Sequence, residues 1–320
     1  MQRRSIRLTE LVGLVALAVV PPVAAALDQP FYVDMFTRIE IFAIAAVSLD
    51  LILGYGGMVS FGHAAYLGIG SYAVGILAWY GITDGFLQFF VAIAGAALAA
   101  LFIGFVSLRT SGVYFIMITL AFSQMIYFLC ESLNQFGGDN GLNIAEHSRF
   151  AGLIDLDHGS TLYYLAFACL ALCLWFGGRL VESRFGVVLR GTRSNARRME
   201  ALGFPTFRYR LTAFVIAGAT GGLAGALLAN QTLFLSPAIM HWTRSGEIMM
   251  MVILGGMGTL FGPVLGAAAF LLAESVLADL TEHWQAVLGP LLVLLVLFSR
   301  GGILGVFTSF LTRRWRARHG

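Results

Sequence analysis

The sequence predicts an all-α, polytopic membrane bundle of about ten spans, with one or two short or broken helices at its Gly-rich segments. Three observations carry this. Hydrophobic residues make up 58% of the 320 and charged residues only 12%, too few charges to coat a water-facing surface. The apolar residues fall in runs near the roughly 20 that a bilayer core of about 30 Å requires. The Arg residues alternate in density from one connection to the next, as the positive-inside rule demands.

The runs cover 10–27, 36–54, 58–80, 86–107, 112–133, 161–178, 210–230, 245–257, 262–280 and 284–299. Arg3, Arg4 and Arg7, the core from Leu11 to Val20, and Ala24 to Ala26 also fit a cleavable signal peptide. The run is long enough to span, so it is read as a retained helix. The third run follows Gly54, Gly56, Gly57 and Gly62, a glycine density that predicts an irregular entry. Helix packing through Ala64 and Gly68, and Ser71 and Gly75, is the competing use of small residues there. The fifth run carries Tyr114, Thr119, Ser123 and Gln124 in an otherwise apolar stretch.

In the seventh run Gly218 and Gly222, and Gly221 and Gly225, are each four apart, giving two adjoining faces for close helix approach. The eighth run is short and meets Gly255, Gly256, Gly258, Gly262 and Pro263. A broken helix of this kind is tolerated where protein or a water-filled cavity satisfies the freed backbone. Gly56-Gly57-Met58 returns loosely as Gly255-Gly256-Met257, a hint of a parallel repeat.

With both termini inside, 17 of the 20 basic residues lie on the inner side, leaving Arg38, Arg149 and Arg244 outside. The chain then reads as one membrane domain over 1–320. It has an outer loop at 134–160, an inner segment at 179–210 and a basic inner tail at 300–320. The inner segment holds eight Arg against Glu182 and Glu200, and an amphipathic helix there places Met199 and Leu202 on one side. Anionic lipid would hold such a helix, but short loops suffice to join two spans, so its length favours a docking surface.

All 20 basic residues are Arg. That excludes the phosphate-binding loop, which needs a Lys, and Schiff-base chemistry. The net charge of +3 and the scatter of Arg argue against nucleic acid. Cys130, Cys169 and Cys173 sit in apolar runs and fit packing better than a disulfide framework or a metal. No cofactor or metal site is indicated. His63 at membrane depth needs a partner or a cavity, and Gln124 needs a neighbouring helix or water. Asp50, Glu131, Glu247 and Glu274 fall near span ends, where headgroup solvation is expected.

Several segments together resemble the LivM type of permease subunit in ABC importers for branched-chain amino acids. They are Leu53 to Ala65 (LGYGGMVSFGHAA), Gly112 to Phe122 (GVYFIMITLAF), Gly137 to Leu142 (GGDNGL), Ser183 to Gly203, and Leu254 to Thr259 (LGGMGT). The resemblance implies a non-enzymatic permease of the bacterial inner membrane. It would pair with a second, related permease, two cytoplasmic ATPases and an extracytoplasmic solute-binding protein, and move substrate by alternating access. Gly57, Ser60, His63, Tyr114, Thr119 and Gln124 become candidates for the substrate pathway. The resemblance makes the inner segment an ATPase-coupling segment, with Arg190, Arg197, Arg198, Glu200, Ala201 and Gly203 as candidates. Gly203 follows Glu200 by three, a departure from the Glu-Ala-Ala-x-x-x-Gly pattern of such segments. Three alternatives stay open: a ten-span ABC permease for sugars, a secondary transporter, and a membrane scaffold without transport.

Overall fold

A chain in lipid has to satisfy its own backbone hydrogen bonds, and this one does so almost wholly with helices. The computed structural model describes residues 12–26, 29–150, 156, 159–281, 283, 286–290, 302, 303 and 305. In order, the helices are α1 (Val20–Ala26), α2 (Pro30–Asp50), α3 (His63–Trp79), α4 (Gly85–Ser107), α5 (Val113–Ser132) and α6 (Gly159–Glu182). They continue with α7 (Arg184–Ala201), α8 (Thr206–Thr232), α9 (Trp242–Gly255) and α10 (Gly262–Leu280). Pro30 and Pro263 open α2 and α10, where a missing N–H costs nothing. Asp84 caps α4, accepting from the Phe86 N–H at 3.0 Å.

Five helices, α4, α5, α6, α8 and α10, are long and apolar enough to cross a membrane by length and composition. That is fewer than the about ten spans expected from hydropathy, for identifiable reasons. α2 includes Asp34, Arg38, Glu40 and Asp50. α3 has only 17 residues because the Gly-rich segment takes the place of its first turns. α9 has 14 and is preceded by the short 3-10 helix Pro237–Met240. The tenth run and the basic tail fall mostly outside the described residues.

α8 is the axis of the bundle, with 61% of its apolar stretch buried against 22–33% for the other four. Its glycines explain this. Gly218 and Gly222 face Ala96 and Ala100 of α4, while Gly221 and Gly225 face Tyr66, Leu67 and Ser71 of α3. These are the two adjoining faces expected from the spacing, and the Ser71 hydroxyl crosses to the Gly225 carbonyl at 2.8 Å. At one end of the bundle, Leu142–Asn143 (β1) pairs antiparallel with Phe234–Leu235 (β2). Ser148 ties the same loop down, its N–H donating to Asn230 Oδ1 at 2.8 Å and its hydroxyl to Gln88. α7 lies across the opposite end, where α2 finishes in a π-helical turn, Leu51–Tyr55.

Candidate functional site

The irregular entry to α3 is real, and it gathers several of the expected residues. Gly57 has φ +67°, in the left-handed region that L side chains avoid. Ser60 is buried and its Oγ accepts from the Gly62 N–H at 3.2 Å. Gly62 packs so closely on α5 that a methyl group there would come within 2.8 Å of the Thr119 carbonyl oxygen. His63, the first residue of α3, is fully buried. Its Nε2 lies 2.6 Å from Ser48 Oγ on α2, and that hydroxyl donates to the Ala45 carbonyl at 2.7 Å. With the hydroxyl proton so committed, Nε2–H is the donor to Oγ. The ring meets Tyr66 edge-on at 5.7 Å, and Tyr66 meets Phe214 at 5.9 Å. One residue on, the Ala64 N–H donates to Ser245 Oγ at 3.0 Å. The first turns of the two shortened helices, α3 and α9, therefore meet inside the bundle.

Thr119 is buried against this junction, its hydroxyl on its own helix at the Ile116 carbonyl, 3.0 Å away. The other two candidates on α5 are not brought in. Tyr114 is 73% exposed, and Gln124 is half-buried with its Nε2 unpartnered among the described residues. Ser123, between them, donates across to the Met240 carbonyl at 3.2 Å.

Two acids differ from expectation. Asp50 is 2% exposed, not solvated at a headgroup, because the turn between α9 and α10 folds over it. Glu274 pairs with Arg38 at 3.3 Å. Sequence reasoning also passed over Glu40, which is wholly buried in the middle of α2, beside the Tyr163 hydroxyl of α6. A charge count along the second run would have found it. Ser48 was missed as well, although it both holds His63 and lines an open cleft between α2, α6 and α8.

α7 is the second part of the site. It is two helices in one, because Asn195 adopts an extended backbone (φ −160°, ψ 99°) inside it. The Asn195 side chain accepts from the Arg198 N–H at 3.0 Å, which is how an N-cap starts a new helix. Arg190 anchors the first half, donating to the Val181 carbonyl at 3.0 Å. In the second half Arg197, Arg198, Glu200 and Ala201 are exposed. Leu202 is 66% exposed, so the single amphipathic helix expected here, with Met199 and Leu202 on one side, is replaced by a kinked pair. Glu200 accepts from the Thr206 hydroxyl at 2.6 Å. Gly203 ends the segment at φ +86°, with N–H bonds from Gly203 to Glu200 and from Phe204 to Met199. That is the Schellman arrangement, which favours glycine at the residue after the cap.

A family model described as the permease component of branched-chain amino acid transport systems matches residues 31–297, through α7 and both shortened helices. The chain is 29% identical to the high-affinity branched-chain amino acid transport system permease protein LivM of Escherichia coli (strain K12), over 92% of this chain and 74% of the relative. It is 25% identical to LivH of the same organism, over 86% and 96%. It is also 25% identical to a probable LivM permease of Methanocaldococcus jannaschii, over 76% and 80%. No solved structure matches it. A bundle of apolar helices this rich in small-residue contacts, matched over most of its length, is a multi-pass membrane protein and belongs to the family of permease components of branched-chain amino acid transport systems.

Proposed function

We propose that the chain is one half of the translocation path of an ABC importer for branched-chain amino acids, with about ten spans in the bacterial inner membrane and both termini cytoplasmic. The observation that carries this is the family match across both shortened helices and α7. Similarity to LivM-type and LivH-type permeases alike supports a related second permease as partner. Two ATPases on the α7 side and a solute-binding protein on the β1–β2 side complete the assembly.

In this reading α7 is the ATPase-coupling segment. Its second half offers Arg197, Arg198, Glu200 and Ala201 to an acidic groove, and Gly203 sets the angle at which the chain re-enters the membrane. ATP binding closes the ATPases, α7 follows, and the helices rock to open the path to alternate sides. Gly57, Ser60, His63 and Thr119 sit where that rocking would part α3 from α5 and α9. Tyr114 and Gln124 face the seam with the second permease.

The test is reconstitution with the partner subunits in proteoliposomes. ATP-driven uptake of leucine, isoleucine or valine, together with a cross-link from Arg197→Cys to an ATPase, is the expected result. Uptake of a pentose in preference to amino acids, or uptake that runs on a proton gradient without ATP, overturns it.

A further inference from the structure

Three chain reversals meet at one point beneath the shortened helices. The first is the π-turn at the end of α2, Leu51–Tyr55. The second is the turn between α9 and α10, whose Gly258 N–H donates to Asp50 Oδ1 at 2.8 Å. Gly54 lies between them, so close that a side chain there would overlap both the Asp50 carboxylate and the Gly258 backbone. The third is the kink of α7 at Asn195. Two residues before it, Arg193 extends along the Cα of Gly57, and its guanidinium donates to the Gly54 carbonyl.

Each contact alone would be a packing detail, but together they form a linkage. Asp50 is 2% exposed and its Oδ2 has no hydrogen bond among the described residues, so this carboxylate lacks a full set of partners. The Arg193 guanidinium reaches the same turn that Asp50 holds, its Nη1 lying 3.5 Å from where a Cβ on Gly258 would sit. Arg190 pins the first half of α7 to the end of α6, whereas the second half is capped separately at Asn195. A pull on the second half therefore turns about the residues next to Arg193. The backbone that Arg193 holds leads within ten residues to His63, and the turn that Asp50 holds closes α9, whose first turn binds Ala64.

We infer that Arg193 is a positioning residue that transmits movement of α7 to both shortened helices, through Gly54 directly and through Asp50 to Gly258. This rests on α7 being the ATPase-coupling segment. It separates two tasks within that segment: the arginines of the second half engage the partner, and Arg193, itself partly open to solvent, reaches back to the membrane domain at the Gly54 carbonyl.

The experiment measures uptake per ATP hydrolysed in proteoliposomes holding the complete complex, for Arg193→Ala, Arg193→Lys and Asp50→Asn, each normalised to assembled complex. Arg193→Ala is expected to leave assembly and hydrolysis intact while lowering uptake per ATP about tenfold, the size of an ordinary coupling free energy between two sites. Arg193→Lys should restore part of the ratio, since the cation can still reach Gly54 and Asp50. Asp50→Asn should lower it, and the double variant should be no worse than Arg193→Ala alone. An unchanged ratio in Arg193→Ala overturns the inference. So does a fall of hydrolysis and uptake in parallel, or a Lys variant as impaired as Ala in its ratio. The Arg197→Cys cross-link, made in the same membranes, keeps the two ideas apart. A cross-link with an unchanged ratio defeats the role of Arg193 alone, and absence of the cross-link defeats the coupling role of α7 and this inference with it.

Discussion

At the start of α3 the imidazole of His63 is sealed from solvent and held by Ser48, whereas the second half of α7 leaves Arg197 and Arg198 exposed, with no ion pair among the described residues. Both regions are polar exceptions in a chain that is 58% hydrophobic, yet they handle polarity in opposite ways. At this junction the His63 ring and the Ala64 N–H each find a hydroxyl on another helix, because an unmade hydrogen bond there is expensive. On α7 water solvates the guanidinium groups, so charge can be kept for a partner at little cost to the fold. The difference predicts that substitutions at the α3 junction act first on assembly, and those on outer α7 act first on coupling.

The sharpest way to break that comparison is at the seam behind the junction. Gly225→Leu would drive a side chain into the Leu67 carbonyl and to within 2.9 Å of the Ser71 N–H. Overpacking of two backbones that cannot give should cost about 3 kcal/mol or more. The expected result is loss of monodisperse protein in detergent, read by size-exclusion chromatography. A Gly225→Leu protein that purifies and melts like the parent would mean the α3–α8 contact is not the axis of the fold.

Ser48→Ala comes next. It strands the buried Nε2–H of His63, at about 1–3 kcal/mol. A lower melting temperature is expected, with uptake per assembled complex close to the parent. Should the melting temperature hold while normalised uptake falls, the junction contains water or substrate and His63 belongs to the path itself.

Gly203 sits on the other side of the comparison. A Cβ there meets nothing within 4 Å, so the difficulty of any substitution lies in the φ of +86° and not in crowding. Gly203→Ala should cost about 1–2 kcal/mol, and Gly203→Asn less, because Asn tolerates the left-handed region. Thermal melts of the two variants check the order. If Gly203→Asn folds like the parent yet abolishes ATP-driven uptake, the residue touches the ATPase, and its conformation is not the whole of its role.

The smallest effect on stability belongs to Arg197→Ala combined with Arg198→Ala. Exposed and unpaired, the two should shift stability by no more than about 0.5 kcal/mol. Their loss should nonetheless weaken capture of the ATPase in a pull-down, steeply so as salt rises. Unaltered capture at low and high salt would leave these arginines as lipid anchors.

Much of this molecule was legible in advance. Composition and the length of the apolar runs determine a helical membrane bundle, because lipid permits little else. The four-residue spacing of Gly218 with Gly222 and of Gly221 with Gly225 determined that α8 would press on two neighbours, since positions four apart share a helix face. The Gly-rich approach to His63 and the short α9 were visible for the same local reason. What tertiary structure alone decided is which polar groups meet. Asp50 looked like a span-end acid, and only the return of the chain some 200 residues later, bringing Gly258 to it, buries it. Arg193 was one of eight arginines in a basic stretch. The first half of α7 carries it to the Gly54 carbonyl, and beyond the kink at Asn195 Arg197 and Arg198 stay in water. Hydropathy and spacing are properties of neighbours along the chain, whereas a hydrogen bond between distant turns depends on how the helices pack.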